Sequence, residues 1–365
     1  MRPADEAELS EAIRTAAGPL SVRGGGTRGV FGPGAVLETG GLSGVRLYEP
    51  EALTLVCGAG TRLAEIEALL AGERQRLAFE VPDLRSVLGR EGVSTIGGVA
   101  AANASGPRRV QAGACRDAML GVRFVDGAGT VVKNGGRVMK NVTGYDLVKL
   151  MAGSAGVLGV LSEVSLKVQA RPEAEATLLA EGLGDAAALA VLRRALGLPY
   201  DISGAACRAG AALIRVEGMA GSVRYRLGEL QRMIPAPWQV VEGEASTALW
   251  RAVRDISDFA DETGALWRLS VVPGEAEVVP AALRAAGIAH RALWDWGGGL
   301  LWLSCAEGHG ATIRAALAGR GHATRLRGAE TAPAYEPQAP EVVALQAGLK
   351  ARFDPRGILN PGGLC

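Results

Sequence analysis

The stretch VRGGGTRGVFGPG, residues 22–34, contains six glycines among its thirteen residues, and three of them are consecutive. A Rossmann-type phosphate loop would lead directly into a helix, with an acidic residue about twenty positions later. Here the glycines lead into VFGP, residues 30–33, which predicts a loop, and the lysine of a P-loop is missing. Consecutive glycines can still bind an anion through a nest of backbone N–H groups, and a simple turn is the alternative.

Two further glycine-rich segments favour the nest over the simple turn. They are STIGGVAAANASG, residues 94–106, and GSAGVLGVL, residues 153–161. The small side chains of the first would let a flat ligand lie against the backbone, and Asn103 and Ser105 would offer hydrogen bonds to a polar ring edge. Three such turns along one groove would suit an extended dinucleotide.

Length and composition limit the class of protein. A chain of 365 residues with 48% hydrophobic residues predicts two domains with sizeable cores. A net charge of +1 leaves no basic excess for binding nucleic acid. The acidic, amphipathic start does not resemble a secretory signal, and no apolar run is long enough for a membrane span. We therefore expect a cytoplasmic protein, with peripheral attachment to the inner membrane through a partner left open.

Cysteine and histidine patterns argue against a metal site. The five cysteines are far apart and form no C-x-x-C pair, so neither an iron–sulfur cluster nor a structural zinc site has the required spacing. We expect them to be small core residues. The three histidines, His290, His309 and His322, show no ligand spacing either, and each is expected to be structural or exposed rather than catalytic.

Periodicity predicts the order of elements in both halves. In the first half, TRLAEIEALLAG reads as a helix with Thr61 as its N-cap, and residues 119–136 read as a hairpin around Asp126-Gly127. In the second half, the order strand–helix–strand–strand–helix–strand occurs twice. This repetition predicts two ferredoxin-like units side by side, forming an antiparallel sheet with helices on one face. The six tryptophans, all in this half, are expected in its core or at a subunit interface.

Several motifs in order resemble one flavoprotein family. RGGGT, STIGGVAAANASGPRR, KNVTGYDLVKLMAGSAGVLGVLSEVSL and the C-terminal FDPRGILNPG are similar to the PCMH-type FAD-binding domain of the vanillyl-alcohol-oxidase family, and most of all to the FAD-binding subunits of bacterial glycolate oxidases. The implied fold is α+β: an FAD-binding domain of two α/β subdomains over 1–172 and a ferredoxin-like α+β cap over 173–340. Residues 341–365 would return to the FAD domain.

The resemblance also implies which residues hold the cofactor. The first segment would surround the FAD diphosphate, the second would run beside the ribityl chain and isoalloxazine, and the third would reach the adenine side. A proline in VPDLRS would contact the flavin, and an asparagine in NPG would return from the C-terminus. The implied residues are Arg23, Gly24, Gly25, Gly26, Thr27, Arg28, Pro82, Thr95, Ile96, Gly97, Gly98, Asn103, Ser105, Gly106, Gly156, Gly159, Val160 and Asn360.

Two positions depart from the family pattern. Relatives with covalently attached flavin often carry histidine after the glycine run, whereas this chain has Thr27, so the resemblance implies noncovalent FAD. Many relatives have an acidic residue where this chain has Ala155, which leaves the adenine-ribose contact undefined.

The resemblance implies a subunit that oxidises glycolate or a similar D-2-hydroxy acid and passes electrons to partners. Those partners would be a larger FAD-linked subunit and an iron–sulfur subunit. The histidine-rich signatures of larger catalytic relatives are missing, so no catalytic base is assigned. Arg268, on an apolar strand, is a candidate for binding the substrate carboxylate, and an outward-facing charge is the alternative. A redox-silent assembly subunit and a self-sufficient D-2-hydroxyacid (D-lactate) dehydrogenase are the alternative functions.

Overall fold

The computed structural model describes residues 1–28, 32–137, 144–330 and 333–363. The first half contains short helices and two small sheets. In chain order its elements are α1 (Glu6–Arg14), β1 (Leu20–Arg23), β2 (Ala35–Glu38), β3 (Val45–Glu49), β4 (Thr54–Gly58), α2 (Leu63–Gly72), β5 (Gln75–Leu77), α3 (Arg85–Leu88), α4 (Ile96–Ala101), α5 (Arg109–Ala112), α6 (Cys115–Ala118), β6 (Met119–Val125), β7 (Val131–Gly135), α7 (Leu147–Met151) and β8 (Val160–Ala170).

The second half alternates longer helices with strands of one large sheet. Its elements are β9 (Ala174–Ala180), α8 (Asp185–Leu196), β10 (Ile202–Arg208), β11 (Ala211–Gly218), α9 (Ala220–Met233), β12 (Trp238–Glu242), α10 (Gly243–Arg254), β13 (Ala265–Val271), α11 (Val278–Ala285), β14 (His290–Asp295), β15 (Leu300–Cys305), α12 (Gly310–Leu317), β16 (Gly321–Arg327) and α13 (Pro340–Phe353).

The first half has two layers of different character. Strands β1 and β2 pair in parallel, and the apolar face of α1, with Leu9 and Ile13, packs in the same core cluster as these strands. Helix α1 begins after Asp5, whose carboxylate accepts the Glu8 N–H at 2.9 Å as an N-cap should. The second sheet has the order β3-β4-β8-β6-β7 with antiparallel pairing, and β5 pairs with the end of β8.

The sequence predicted the hairpin correctly and the start of α2 wrongly. Strands β6 and β7 pair antiparallel around the loop 126–130, which confirms the hairpin. Helix α2 has Arg62, not Thr61, at its N-cap position. The Thr61 hydroxyl instead donates to the Gly58 carbonyl at 2.7 Å and accepts the Gly44 N–H at 3.0 Å. The Thr61 hydroxyl therefore forms these two hydrogen bonds and not the N-cap hydrogen bond that the local pattern predicts.

The second half forms one eight-stranded antiparallel sheet with the order β12-β9-β11-β10-β14-β15-β13-β16. Each four-strand set has the ferredoxin-like order, and the two sets join where β10 pairs with β14. This arrangement confirms the two side-by-side units. Helices α8, α9, α11 and α12 pack on one face of the sheet, whereas α3 and α10 pack on the other. The second face is the one that meets the first half.

A buried cluster of charges joins the two halves. Arg215, on β11, donates to both oxygens of Glu80 at 2.8 and 3.0 Å. Glu217, on the same strand, accepts from Arg108 at 3.0 Å and from Arg76 at 2.5 Å. Because the strand contributes from one half and its three partners from the other, this network fixes how the sheet sits on the glycine-rich segments. The division at residues 172 and 340 stays a prediction.

The cysteines of the described residues are buried, as expected of core residues. Burial raises the pKa of the Cys57 and Cys115 thiols to about 12, so both are protonated at neutral pH. A protonated, buried thiol is neither a nucleophile nor a metal ligand. Cys365 lies outside the described residues.

Candidate functional site

The glycine-rich segments meet along one open cleft with a volume of about 120 Å³. Of the residues that the sequence singled out, it brings together Gly24, Gly25, Gly26, Thr27, Arg28, Thr95, Gly97, Gly98, Gly156, Gly159 and Asn360. The remaining lining residues were not predicted as contacts: Val22, Thr39, Ala101, Ala102, Ala155 and Leu161. They are mostly small or apolar, and only their position beside the glycines could have indicated them.

The backbone of the first segment forms the nest that its glycines suggest. Gly26 has a φ of +71°, and no atom lies within 4 Å of where its Cβ would be. Within the described part of the chain, no carbonyl accepts the N–H groups of Gly24, Gly25 or Gly26. Three successive N–H groups without a protein acceptor fit the diphosphate of a dinucleotide.

Gly24 and Gly25 are glycine for a different reason. A Cβ on Gly25 would overlap the Val93 carbonyl oxygen, and a Cβ on Gly24 would come within 2.5 Å of the Thr95 hydroxyl. Both would therefore collide with protein. The resemblance implies that Gly25 lies around the FAD diphosphate, whereas the structure shows that its missing side chain lets another part of the chain approach. A side chain there would displace the nest by steric force.

The second segment forms the opposite wall. Thr95 caps helix α4, and the Gly97 N–H donates to the Ala59 carbonyl at 2.7 Å. A Cβ on Gly97 would come within 2.6 Å of the Ala59 Cβ, so this glycine packs against the sheet. A Cβ on Gly98 would have one protein neighbour, the Thr95 hydroxyl at 3.3 Å, which leaves its Cα open to the cleft.

Arg28 ties the walls of the cleft together. Its guanidinium donates to the Ser94 hydroxyl and to the Pro82 carbonyl, both at 2.6 Å. Burial lowers the pKa of Arg28, which marks a guanidinium held away from water. Its Nε is buried and has no hydrogen-bond partner among the described residues. Arg28 thus positions the nest and leaves one donor unused.

Asn360 closes the end of the cleft from the C-terminus. Its side-chain oxygen accepts the Val22 N–H at 2.7 Å, and its amide donates to the Ala155 carbonyl at 2.8 Å. Asn360 and Ala155 have φ values of +41° and +51°, so both are held in the left-handed region. The NPG turn therefore connects β1 with the third glycine-rich segment, where Gly156 also has positive φ.

The other predicted contacts lie beside the cleft rather than along it. They are Arg23, Pro82, Ile96, Asn103, Ser105, Gly106 and Val160. The Asn103 and Ser105 side-chain oxygens accept the N–H groups of Arg116 and Cys115, each at 3.0 Å. These acceptors hold the start of α6, a role that the sequence did not predict. Whether the residues beside the cleft contact a ligand stays a prediction.

None of the three histidines lines this cleft. His290 and His322 lie on β14 and β16, and His309 precedes α12. Among the described residues, no three histidine, cysteine or carboxylate side chains are grouped to bind a metal ion. No helix in the described part of the chain has the length and apolar character to cross a membrane. Arg268 lies away from the cleft, on β13, half-buried beside Trp296 and Trp302.

Comparisons with known proteins agree with this geometry. The family model described as an FAD binding domain matches residues 1–135, so this part of the chain belongs to an FAD-binding domain. A solved structure of alkyldihydroxyacetonephosphate synthase superposes with a TM-score of 0.73 over 99% of this chain and 75% of that one, at 14% identity. That likeness shows that the two chains share a fold.

Three curated relatives narrow the family. The D-lactate dehydrogenase of Archaeoglobus fulgidus is 31% identical over 46% of this chain, and the glycolate oxidase subunit GlcD of Bacillus subtilis is 34% identical over 44%. The matched regions span 38% and 34% of those two proteins. The glycolate oxidase subunit GlcE of Escherichia coli (strain K12) is 34% identical over 94% of this chain and 92% of its own length. The chain belongs to the family of the glycolate oxidase subunit GlcE.

Proposed function

We propose that this chain is the FAD-carrying subunit of a glycolate-oxidase-like complex, which oxidises glycolate or a similar D-2-hydroxy acid to the 2-oxo acid. The observation that carries the proposal is the run Gly24–Gly26, whose N–H groups no carbonyl of the described residues accepts and which lines one cleft together with the open Gly98 backbone. The names of the relatives GlcE, GlcD and D-lactate dehydrogenase support an FAD-linked oxidation of hydroxy acids.

Each part of the site would have a distinct task. When bound, FAD supplies the hydride acceptor for the reaction. The N–H groups of Gly24–Gly26 would bind the diphosphate, and Gly97 and Gly98 would let the backbone lie close to the rest of the cofactor. Arg28 and Asn360 would hold the cleft walls at a fixed separation through the hydrogen bonds that join them. Thr27, in place of the histidine of covalent flavoproteins, supports noncovalent binding.

Electron transfer would proceed through partner subunits. The relatives GlcE and GlcD are both named as subunits of glycolate oxidase, which supports a complex with a larger FAD-linked subunit. An iron–sulfur subunit would carry the electrons onward, because no cluster ligands are grouped in the described residues of this chain. Attachment to the inner membrane would then depend on the complex.

A redox-silent assembly subunit is the second candidate. One observation favours it: none of the three histidines lines the cleft, so the usual proton acceptor for a hydroxy acid is not in place within this chain. In that case the chain would bind FAD, or only keep its fold, and the partner would oxidise the acid.

A visible absorption spectrum of the purified chain, followed by anaerobic addition of glycolate or D-lactate, distinguishes these functions. We expect the bands of oxidised flavin, either as purified or after incubation with FAD. Bleaching by the acid would assign the oxidation to this subunit. Flavin bands that persist would assign it to the partner. A colourless protein that takes up no FAD would contradict the flavoprotein proposal.

A further inference from the structure

Two arginines share one tryptophan ring at the junction of the two halves. The Arg109 guanidinium lies 4.7 Å from the centroid of the Trp296 ring, and the Arg268 guanidinium lies 5.5 Å from it. Arg268 also lies 6.0 Å from the Trp302 ring. Cation–π contacts of this kind hold a guanidinium in place without neutralising its charge. Both arginines are half-buried.

Each guanidinium has its cation–π contact in the described part of the chain, and no ion pair or hydrogen bond from either is found there. Other arginines stacked on aromatic rings do have one. Arg291 lies over Phe259 and pairs with Glu262 at 2.7 Å, and Arg314 lies over Trp267 and pairs with Glu336 at 3.5 Å. Burial, with a smaller contribution from Arg109, lowers the pKa of Arg268 to about 10. The two positive charges repel each other, and neither has a counter-ion in direct contact, although Asp117 attracts Arg109 from further away.

The adjacent carboxyl group does not supply that counter-ion. Asp295 precedes Trp296, and its Oδ1 accepts the Trp296 N–H at 2.7 Å. Burial raises the pKa of Asp295 to about 8, so this carboxyl is mostly protonated at neutral pH. A group that is uncharged and already hydrogen-bonded leaves both guanidinium groups available to an anion from outside.

The cluster lies where the two halves meet, away from the cofactor cleft but beside the end of the glycine-rich segment 94–106. Arg109 comes from the FAD-binding half, whereas Arg268 lies on β13 and Trp296 follows β14 in the other half. The Trp296 indole N–H donates to the Gly106 carbonyl at 3.1 Å. Gly106 ends the glycine-rich segment that begins at the cleft wall. Trp296 itself has a φ of +54°, a strained value that the packing between the halves maintains.

We propose that Arg109, Trp296 and Arg268 form a carboxylate-binding site for the acid that the complex oxidises. The inference rests on the proposed function. Each guanidinium group can donate a pair of parallel N–H groups to a carboxylate, and stacking on the indole ring limits how far either group can move. The ligand class is a small carboxylate, and the site requires both halves of the chain.

Binding of oxalate, measured by isothermal titration calorimetry on the full chain loaded with FAD, tests the site. Oxalate has the carboxylate of a 2-hydroxy acid but no hydrogen on carbon to lose, so binding is measured without turnover. Oxamide has a similar shape without charge and serves as the control ligand. We expect oxalate to bind, and oxamide to bind at least about 10-fold more weakly, because charge-assisted hydrogen bonds dominate the contact.

Arg268→Met and Arg109→Met should each weaken oxalate binding at least about 10-fold. The matched control is Arg291→Met, which removes a stacked arginine that already has a glutamate partner and should leave oxalate binding unchanged. Since the two variants lie in different halves, one remains informative if the other does not fold. FAD content and melting temperature of each variant separate loss of the site from loss of the fold.

The outcomes separate this inference from the proposed function. A chain that retains FAD but does not bind oxalate, or whose Arg268→Met and Arg109→Met variants bind it as the unaltered chain does, would overturn the carboxylate site and leave the flavoprotein proposal intact. A chain that takes up no FAD but binds oxalate through both arginines would overturn the flavoprotein proposal and leave the carboxylate site intact. Oxalate binding that Arg291→Met weakens equally would show a general charge effect and would also overturn the site.

Discussion

At the scale of single residues, a substitution at Gly98 distinguishes an effect on folding from an effect on cofactor binding. It lies within helix α4, where alanine is favoured over glycine by about 1 kcal/mol. Its missing side chain leaves space in the cleft rather than in the core. We expect Gly98→Ala to keep or raise the melting temperature of the FAD-free chain and to weaken FAD binding about 10-fold or more, through overpacking.

Fluorescence titration with FAD and thermal melting of the FAD-free chain check this prediction. Gly228→Ala is the matched control, because Gly228 lies within helix α9 with no atom within 4 Å of its Cβ position. That variant should change stability in the same direction and leave FAD affinity unchanged. An unaltered FAD affinity in Gly98→Ala would contradict the placement of the cofactor along α4.

Asp295 gives the protein a pH dependence of stability that is opposite to that of ordinary carboxylates. Burial raises its pKa from 3.8 to about 8 in the folded chain. Its contribution to stability is therefore complete below about pH 4 and is lost progressively as the pH rises towards 8. Asp295→Asn keeps an oxygen for the Trp296 N–H but cannot ionise. We expect the variant to melt at a higher temperature than the unaltered chain at pH 8.5, with a smaller difference at pH 5.

Thermal melting across this pH range, followed by circular dichroism, gives the comparison. Asp258→Asn is a useful contrast, because a hydrogen bond from Arg208 lowers the pKa of Asp258. That variant should lose stability at neutral pH rather than gain it at alkaline pH. Equal melting temperatures of Asp295→Asn and the unaltered chain at both pH values would contradict the assignment.

The sequence predicted the residues of the cleft better than it predicted their tasks. A run of glycines indicates that the backbone lies close to another group. It does not indicate whether that group belongs to a ligand or to another segment of the chain. Gly25 meets Val93, whereas Gly26 faces open space, and the two are adjacent in one run. Arg109 and Trp296 were not predicted as a site at all, because they come together only when the two halves pack.

At the scale of elements, the C-terminal turn holds the cleft closed. The Asn360 side chain bridges β1 and the third glycine-rich segment through two hydrogen bonds. Asn360→Gly tolerates the positive φ but leaves the Val22 N–H and the Ala155 carbonyl without these partners. We expect a loss of about 1–3 kcal/mol in the free energy of unfolding and weaker FAD binding.

Urea denaturation and FAD titration measure both effects. Asn360→Asp provides the graded comparison, since it keeps the acceptor for Val22 and loses the donor to Ala155. Its effect should lie between those of the unaltered chain and Asn360→Gly. A cleft that binds FAD normally in Asn360→Gly would show that the turn has no part in forming the site.

The order of the helices and strands could be predicted from the sequence because each of them shows its own hydrophobic periodicity. The two ferredoxin-like units were predicted for that reason, and their helices do lie on one face of the sheet. Where a boundary depends on tertiary contacts, the local pattern failed. Thr61 bonds to Gly58 and Gly44 rather than to the helix that follows it. A hydroxyl that donates to one backbone group and accepts from another cannot be assigned from its neighbours in sequence alone.

At the scale of the whole molecule, the buried ion network keeps the two halves in one arrangement. Arg215 is 1% exposed, lies over Trp250 at 4.6 Å and donates to Glu80 across the junction. Charges buried this deeply cost desolvation, which their mutual attraction offsets when every member is paired. The network therefore contributes less to net stability than to specifying a single relative position of the halves. Both the cofactor cleft and the arginine–tryptophan cluster depend on that position.

Removing Arg215 would leave the carboxylate of Glu80 buried without its main partner. We expect Arg215→Met to lower the free energy of unfolding by about 3–5 kcal/mol at pH 7. Attraction to Arg215 and Arg108 outweighs burial and lowers the pKa of Glu80 from 4.5 to about 2, so its pairing stabilises the fold above pH 4.5 and is lost as the pH falls towards 2. The cost of the substitution should therefore shrink at pH 3.

Urea denaturation at pH 7 and pH 3 tests both parts of that expectation. Arg232→Met is the control, because Arg232 pairs with Glu229 on the exposed surface, where solvent screens the pair and its loss should have little effect on stability. If Arg215→Met also lowers oxalate binding while FAD stays bound, the junction sets the carboxylate site as well as the stability. If the variant unfolds like the unaltered chain at both pH values, the halves must be held together by apolar contacts, such as those of Val87 and Trp250 in the same interface.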